Sequence, residues 1–487
     1  MSTTTFRTKL INVTINKAFT LIDYNTLNDI DKRYEFVRQT VFDDNSLTND
    51  EKTEAIRKLN ITYDQNKVYY NIGTRRTCEN CNQECLATLY CEYCVRNYLK
   101  SNFSNCTSRN NDIDNLIKKC QNETYRPDVV IEWIPYNDLQ DIKYLTKGGF
   151  SEIYTAIWNS GKYQKWDSKE RRLIRLGRQP VILKRLENIE STNKRWFEEA
   201  ESHLTISNKS PYIIQCYGLT QDPSNGDYML VTHKMDLNLR EYLQQNWVHL
   251  TWKKRIQFVY NIITALRHIH NEKAIHRDLH SGNILFKQIN QRFFIGDLGF
   301  CGPINNPPKG IYGNLPYVAP EVIAGRGYTF KSDIYSIAML MWEFSSGQPP
   351  FSNYEHDCCL VMKIIDGVRP RIVSGTPLEY QNLMKQCWDA NPLERPNIDT
   401  LWAKIKEIYM SYQNGSNVSE ANNNLEINNL EIYSHYASSR LSISKVHNFE
   451  GLSEPRNETE EEQKAFHNSR SYDILCIPDS FDDFSKK

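Results

Sequence analysis

The run His276-Arg277-Asp278-Leu279-His280-Ser281-Gly282-Asn283 constrains this chain more than any other stretch. An aspartate and an asparagine five positions apart on a loop can face one site. The carboxylate there orients or takes the proton of an attacking hydroxyl, and the amide oxygen is a hard ligand for magnesium. Fourteen residues beyond Asn283 comes Asp297-Leu298-Gly299, a second hard ligand beside a flexible glycine. Ala319-Pro320-Glu321 follows, and Arg395 lies far downstream in NPLERP. Upstream, Val181-Ile182-Leu183-Lys184 is an apolar strand ending in one lysine. Earlier still, Lys147-Gly148-Gly149-Phe150-Ser151-Glu152-Ile153-Tyr154 is a glycine-centred turn between strand-like runs.

In this order and at these spacings the motifs resemble a protein kinase domain, over about residues 138–408. The HRDLHSGNIL loop and the YGxLPYVAPEV segment are similar to those of tyrosine-kinase-like and serine/threonine kinases expanded in some fungi. The resemblance implies an α+β, bilobal fold, with a small twisted antiparallel sheet and one helix over a mainly helical lobe and the active site in the cleft. It also implies the residue roles. Lys184 holds the α- and β-phosphates of ATP and pairs with a helix glutamate, Glu199 in RWFEEAESHL, with Glu198 one residue out of register. Asp278 is the catalytic base, and Asn283 and Asp297 hold Mg2+ or Mn2+. Gly148, Gly149 and Phe150 cover the phosphates, while Ile153, Ile182 and Leu285 sandwich the adenine. Thr232 is the gatekeeper, and His233 to Met235 form the hinge. Asp333 braces the catalytic loop, and Glu321 and Arg395 form a buried structural pair.

Four departures from the pattern bear on rate. Thr146 and Ser151 replace the first and third glycines of the phosphate loop. Ile182 stands where a small alanine is usual and should crowd the adenine pocket. His280 and Gly282 occupy positions where related enzymes carry a lysine or an arginine against the transferring phosphoryl, so slow turnover is expected. Finally, no serine or threonine lies between Asp297 and Glu321. Only Tyr312 and the structural Tyr317 offer hydroxyls there, so activation without a loop phosphate is the expectation.

The rest of the 487 residues divides by composition. Residues 1–70 are a polar, partly helical segment, with a helix over 49–65 opened by the Thr48–Glu51 capping box and carrying Ile56, Leu59 and Tyr63. Residues 71–126 are cysteine-rich. Cys78-x2-Cys81 and Cys91-x2-Cys94, nine residues apart, offer four soft donors to a structural Zn2+, with Cys85 an alternative to Cys81. Ile113, Leu116, Ile117 and Cys120 form one apolar helix stripe, which makes Cys120 a core residue. Residues 127–137, with PDVVIEWIPY, read as an extended linker, and 409–487 as a low-complexity, disordered tail with short docking segments.

Lysine plus arginine and aspartate plus glutamate both total 59, which argues against a nucleic-acid partner. No run of about 18 apolar residues is present to span a membrane. Thirteen cysteines, an odd number in a chain this long, fit a reducing, cytoplasmic setting with nuclear access open. The expected activity is transfer of the γ-phosphoryl of Mg-ATP to a protein hydroxyl, serine or threonine before tyrosine, with protein partners for the cysteine module and the tail. Two rivals are a pseudokinase scaffold and a zinc-module docking protein whose kinase domain is regulatory.

Overall fold

A computed structural model describes residues 6–23, 26–103, 107–148, 151–186, 195–302, 310–352, 354–414, 444–447, 449 and 451–468. The chain forms two compact units. The first comprises residues 1–237, 285–299 and 410–416; the second comprises 238–284, 300–409 and 417–487.

The first unit opens with three helices, α1 (Thr8–Thr20), α2 (Ile30–Asp43) and α3 (Asn49–Tyr70). The expected capping box starts α3: Glu51 N donates to Thr48 Oγ1 at 3.3 Å, and Thr48 N donates to Glu51 Oε2 at 3.0 Å. The helix runs one turn beyond the expected 65 and stops at Asn71, whose φ of 52° is left-handed. Ile11, Val37, Val41, Ala55 and Leu59 make the core of this bundle. Buried Asp64 ties it to the next segment by accepting from Thr88 N, Thr88 Oγ1 and Leu89 N, each at 2.8 Å.

The cysteine segment consists of β1 (Arg76–Thr77), β2 (Glu84–Cys85), α4 (Glu92–Asn102) and α5 (Asn111–Asn122). Beyond it lie β3 (Glu132–Trp133), β4 (Leu139–Lys147), β5 (Glu152–Trp158), β6 (Tyr163–Asp167), β7 (Arg172–Arg175) and β8 (Gln179–Arg185). Then come α6 (Arg195–Ile206), β9 (Cys216–Gln221), β10 (Tyr228–His233), and the strands β11 (Ile284–Lys287) and β12 (Arg292–Ile295). The main sheet has the order β3-β9-β10-β8-β5-β4. It is antiparallel except at one edge, where β3, from the segment expected as a linker, pairs parallel to β9. Gly218 permits that pairing. Its φ is +147°, and a Cβ there would stand 1.7 Å from the Glu132 carbonyl oxygen.

Each face of the sheet buries its own cluster. Val181, Leu183, Tyr217, Met229 and Val231 fill one. The other joins Leu186, Leu219 and Leu230 to Ala200 and Leu204 of α6 and to Ile113, Leu116 and Ile117 of α5. Cys120 packs against this second cluster as a core residue. The hairpin β6–β7 leaves the sheet and packs Tyr163, Trp166 and Leu173 with Tyr90, Val95 and Leu99 of the cysteine segment.

The second unit is mainly helical: α7 (Leu239–Asn246), α8 (Trp252–Asn271), β13 (Ile311–Gly313), α9 (Pro320–Ile323), α10 (Phe330–Ser346), α11 (Cys358–Ile365), α12 (Leu378–Cys387) and α13 (Ile398–Asn414). α10 is buried on nearly every side, as its apolar sequence predicts. Within the segment expected as tail, β14 (Lys445–His447) and α14 (Glu460–Asn468) are placed on this unit, β14 pairing with β13. No helix among the described residues is long and apolar enough to cross a membrane.

Candidate active site

Strand alternation decides where Lys184 points. Val181 and Leu183 enter the buried cluster on one face of β8, so Ile182 and Lys184 face the other, the side on which α6 packs. There the Lys184 ammonium meets Glu199 Oε1 at 2.7 Å and Asp297 Oδ1 at 2.5 Å. Glu198 is exposed, so Glu199 is the acid in register. Burial pulls the Lys184 pKa down, yet the two carboxylates outweigh it and hold it above the ordinary value. Burial likewise works to raise the Asp297 carboxyl, and the Lys184 ammonium overrides that and holds it well below the usual range. Lys184 and Asp297 are therefore both ionised at neutral pH. Asp297 sits at φ +49° and accepts from Gly299 N at 3.1 Å. A Cβ on Gly299 would stand 2.8 Å from Glu199 Oε1, so the glycine leaves room for the carboxylate pair.

The register brings the expected adenine residues onto this same face: Ile182 pairs with Thr155 on β5 and Thr232 on β10, and Ile153 pairs with Lys184. Leu285 is half-buried on β11. After β10 the chain is held by Asp236 N donating to Phe286 O at 3.0 Å and Lys287 Nζ donating to Lys234 O at 2.8 Å. These bonds bracket Met235. His233 is anchored by its Nδ1, 2.7 Å from the Tyr217 hydroxyl, and burial, with help from Lys287 and Lys162, lowers its pKa to about 4. Gly148 N closes the phosphate-loop turn on Ser151 O at 2.8 Å. Gly149 and Phe150 lie outside the described residues.

In the second unit, Asp333 at the start of α10 accepts from His276 N at 2.8 Å and Arg277 N at 2.9 Å, with His270 Nε2 at 2.8 Å. This fixes the backbone on either side of a strained residue, Arg277 at φ +69°. Asp278, 5% exposed, follows it. Asn283 Nδ2 donates to Asp278 O at 2.9 Å and lies 3.3 Å from Asp278 Oδ2. The amide nitrogen is thus spent on Asp278, which leaves the amide oxygen as the atom for a cation. His280 Nε2 is 3.7 Å from Asp278 Oδ2, and its Nδ1 accepts from Gly282 N at 3.1 Å. The Arg395 guanidinium grips Glu321 through two bonds of 2.7 Å, both side chains buried. Tyr317, fully buried, donates to Glu343 at 2.6 Å. Tyr312 is buried and stacks on Phe300 at 3.7 Å, which withholds its hydroxyl from modification in this state.

The sheet with its lysine–glutamate pair, the loop braced by Asp333 and the Glu321–Arg395 pair all recur in order along residues 139–405. That span matches the family profile described as protein tyrosine and serine/threonine kinase. The chain belongs to this kinase family. Among its curated relatives is the human tyrosine-protein kinase FRK, 26% identical over 308 residues. The alignment takes in 60% of this chain and 55% of FRK. The dual specificity protein kinase zakA of Dictyostelium discoideum is 33% identical over 210 residues, 39% of this chain and 27% of zakA. The serine/threonine-protein kinase VIK of Arabidopsis thaliana is 27% identical over 285 residues, 56% of this chain and 60% of VIK. The chain thus spans about half or less of the first two relatives. Their names cover three acceptor classes.

A second site lies in the cysteine segment of the kinase. The sulfurs of Cys78, Cys81, Cys91 and Cys94 all lie within 4.8 Å of one another. Cys78 and Cys94 are 3.7 Å apart, Cys81 and Cys91 3.6 Å. A tetrahedron with Zn–S of about 2.3 Å has edges of about 3.8 Å, so the four thiols fit zinc. Cys85 groups instead with Cys91 and Glu92 and is not needed as a fourth ligand. Sequence reasoning missed the buttress of this site, the hairpin whose Trp166 packs against the cluster of Cys78, Cys85, Cys91 and Cys94.

Proposed function

We propose that this chain is an active protein kinase that transfers the γ-phosphoryl of Mg-ATP to a serine or threonine hydroxyl of a protein. The observation that carries the reading is the buried, fully charged Lys184 held at 2.7 Å by Glu199 and 2.5 Å by Asp297. A scaffold that never engaged a triphosphate has no use for an ammonium locked at that cost. Lys184 binds the α- and β-phosphates, with Gly148, Gly149 and Phe150 covering them. Ile153, Ile182 and Leu285 enclose the adenine beside Thr232, and His233 to Met235 offer backbone to its edge. Asp297 and the Asn283 amide oxygen are the hard donors for magnesium, which would neutralise phosphate charge when bound. Asp278 orients the acceptor hydroxyl and takes its proton. The HRDLHSGNIL loop is what supports kinship with the fungal expanded kinases.

The four cysteines hold a structural zinc that fixes the segment before the kinase domain, and exposed Leu89 and Tyr93 beside it support a protein-docking role. Thiols of this kind persist in a reducing compartment, which favours the cytoplasm. The deciding experiment incubates the full chain with Mg-ATP and maps phosphate by mass spectrometry. Wild type should incorporate phosphate, and Lys184→Met and Asp278→Asn should not. Incorporation that survives Asp278→Asn would reject the assignment.

A further inference from the structure

β14 lies antiparallel along β13, with Lys445 opposite Gly313, Val446 opposite Tyr312 and His447 opposite Ile311. The N–H and carbonyl of Tyr312 both meet the Tyr328 hydroxyl, so the ladder bonds fall to the two flanking pairs. The buried His447 adds Nε2 at 3.1 Å from the Gly313 carbonyl oxygen. This pairing places the residue before the strand. Ser444, 5% exposed, donates its Oγ–H to Asp278 Oδ1 at 2.8 Å, and His280 Nε2 lies 3.1 Å from Ser444 Oγ. Further along, the chain is docked again: Arg456 N donates to Ile365 O at 3.0 Å, and Ala390 N to Asn457 Oδ1 at 2.8 Å. A Cβ on Gly367 would stand 2.3 Å from Glu458 N, so that close approach needs the glycine. Ser444 is therefore held in register by its own strand and by a separate downstream anchor.

We propose that Ser444 is a modification site, the hydroxyl that this chain phosphorylates on itself, presented to Asp278 by strand addition to β13. The proposal rests on the reading of Asp278 as the group that takes the acceptor proton. In the step, the Asp278 carboxylate accepts the Ser444 proton as the Oγ–P bond forms. The bond from the γ-phosphorus to the bridging oxygen breaks, and ADP leaves with that electron pair. A tyrosine hydroxyl stands much farther from its backbone, so the same pairing would carry it past Asp278; the register selects a short side chain. Once Asp278 has released that proton to solvent, the product phosphoserine carries close to two negative charges beside a carboxylate in a buried place, and like-charge repulsion expels it. Before the step, β14 occupies the strand edge that another protein's acceptor segment would need. After it, that edge is free.

The test uses the full chain with Mg-ATP, followed by phosphopeptide mapping over time and across a tenfold dilution, with casein as a second acceptor. Phosphate should appear on Ser444 at a first-order rate that dilution does not change, and Ser444→Ala should abolish that peptide. Lys445→Pro removes one ladder N–H from an exposed position. It should slow Ser444 labelling about tenfold while casein labelling holds or rises. If casein is labelled in an Asp278-dependent way but Ser444 stays unmodified, or its labelling scales with protein concentration, the proposal falls and the kinase reading stands. If neither acceptor takes phosphate, the kinase reading falls and this proposal with it.

Discussion

Cutting the chain to the kinase domain that its motifs delimit should damage it, because the upstream segment supplies part of the domain's core. α5 inserts Ile113, Leu116 and Ile117, exposed by 0%, 5% and 5%, between the sheet and α6. Burying one such aliphatic side chain is worth about 1.5–3 kcal/mol, so three contribute about 5–9 kcal/mol as an upper bound. Net stabilities of domains are about 5–15 kcal/mol, so losing that term is enough to leave the fold marginal. The loss falls on α6, whose Glu199 must stay within reach of Lys184. A protein beginning at 127 should therefore melt well below the full chain and show a depressed kcat, because α6 no longer holds Glu199 in place. A milder version keeps the chain intact: Ile113→Ala should cost about 2–5 kcal/mol in urea or guanidinium unfolding followed by tryptophan fluorescence. An unchanged unfolding midpoint and kcat in both proteins would refute the claim that α5 belongs to the kinase core.

Ile182→Ala should tighten ATP binding about two- to tenfold by relieving the pocket face it shares with Thr232, read by nucleotide titration; unchanged affinity would show that the isoleucine does not crowd adenine. His280→Lys places a full cation beside Asp278 and should raise kcat by about tenfold or more; a variant no faster than wild type removes histidine as the cause of slow turnover. Metal analysis should find one zinc per chain, and a strong chelator should lower the melting temperature of the first unit, since structural zinc contributes on the order of 10 kcal/mol; metal-free protein with an unchanged melt would exclude it. Burial, aided by neighbouring cations, lowers His233, His268 and His356 from 6.5 to about 4 each. Below about 6.5 the unfolded chain takes up protons that the native state refuses, so stability should be level above that pH and fall steadily toward 4. His233→Gln should make the fall shallower, and a flat melting temperature between pH 7 and 5 would contradict the assignment.

What was legible in the sequence follows from where the physics is local. Lys184, Asp278, Asn283 and Asp297 stand out in the sequence as residue types suited to phosphate and magnesium chemistry, and the structure pairs Lys184 with Asp297 and Asn283 with Asp278. Thr48 and Glu51 announced a helix start because a cap is made within four residues. Glu199 was separable from Glu198 by motif register, and the structure shows why the choice matters: one acid turns to the lysine and its neighbour to solvent. The linker reading of 127–137 lost β3 because two residues carry no period. Its pairing is decided by Gly218, far away in sequence, whose left-handed backbone admits the Glu132 carbonyl. The hairpin of β6 and β7 was missed for a related reason. Its strands lie on a separate module, so Trp166 reads as a stray aromatic until the cysteine cluster it covers is placed.

The tail shows the same limit more sharply. The stretch SSRLSISKVH looks like any polar tail, and Ser444 is 166 residues from the aspartate it touches. Its partner strand, residues 311–313, contains no serine or threonine, nor does the rest of the segment from Asp297 to Glu321. That absence, which implies activation without a loop phosphate, has a physical complement in the docked strand. A kinase with a buried Tyr312 and no loop acceptor can still be switched by a phosphate if the hydroxyl arrives from elsewhere in the chain. Ser444 arrives at Asp278, whose Oδ1 accepts its hydroxyl at 2.8 Å. A switch of this kind acts by vacating the strand edge, so it leaves the Arg277 region, where a loop phosphate would bind, free of any regulatory duty. Mutating Arg277 should then harm folding of the catalytic loop, through loss of the bond its guanidinium donates to the Phe300 carbonyl oxygen, without uncoupling activity from the state of Ser444.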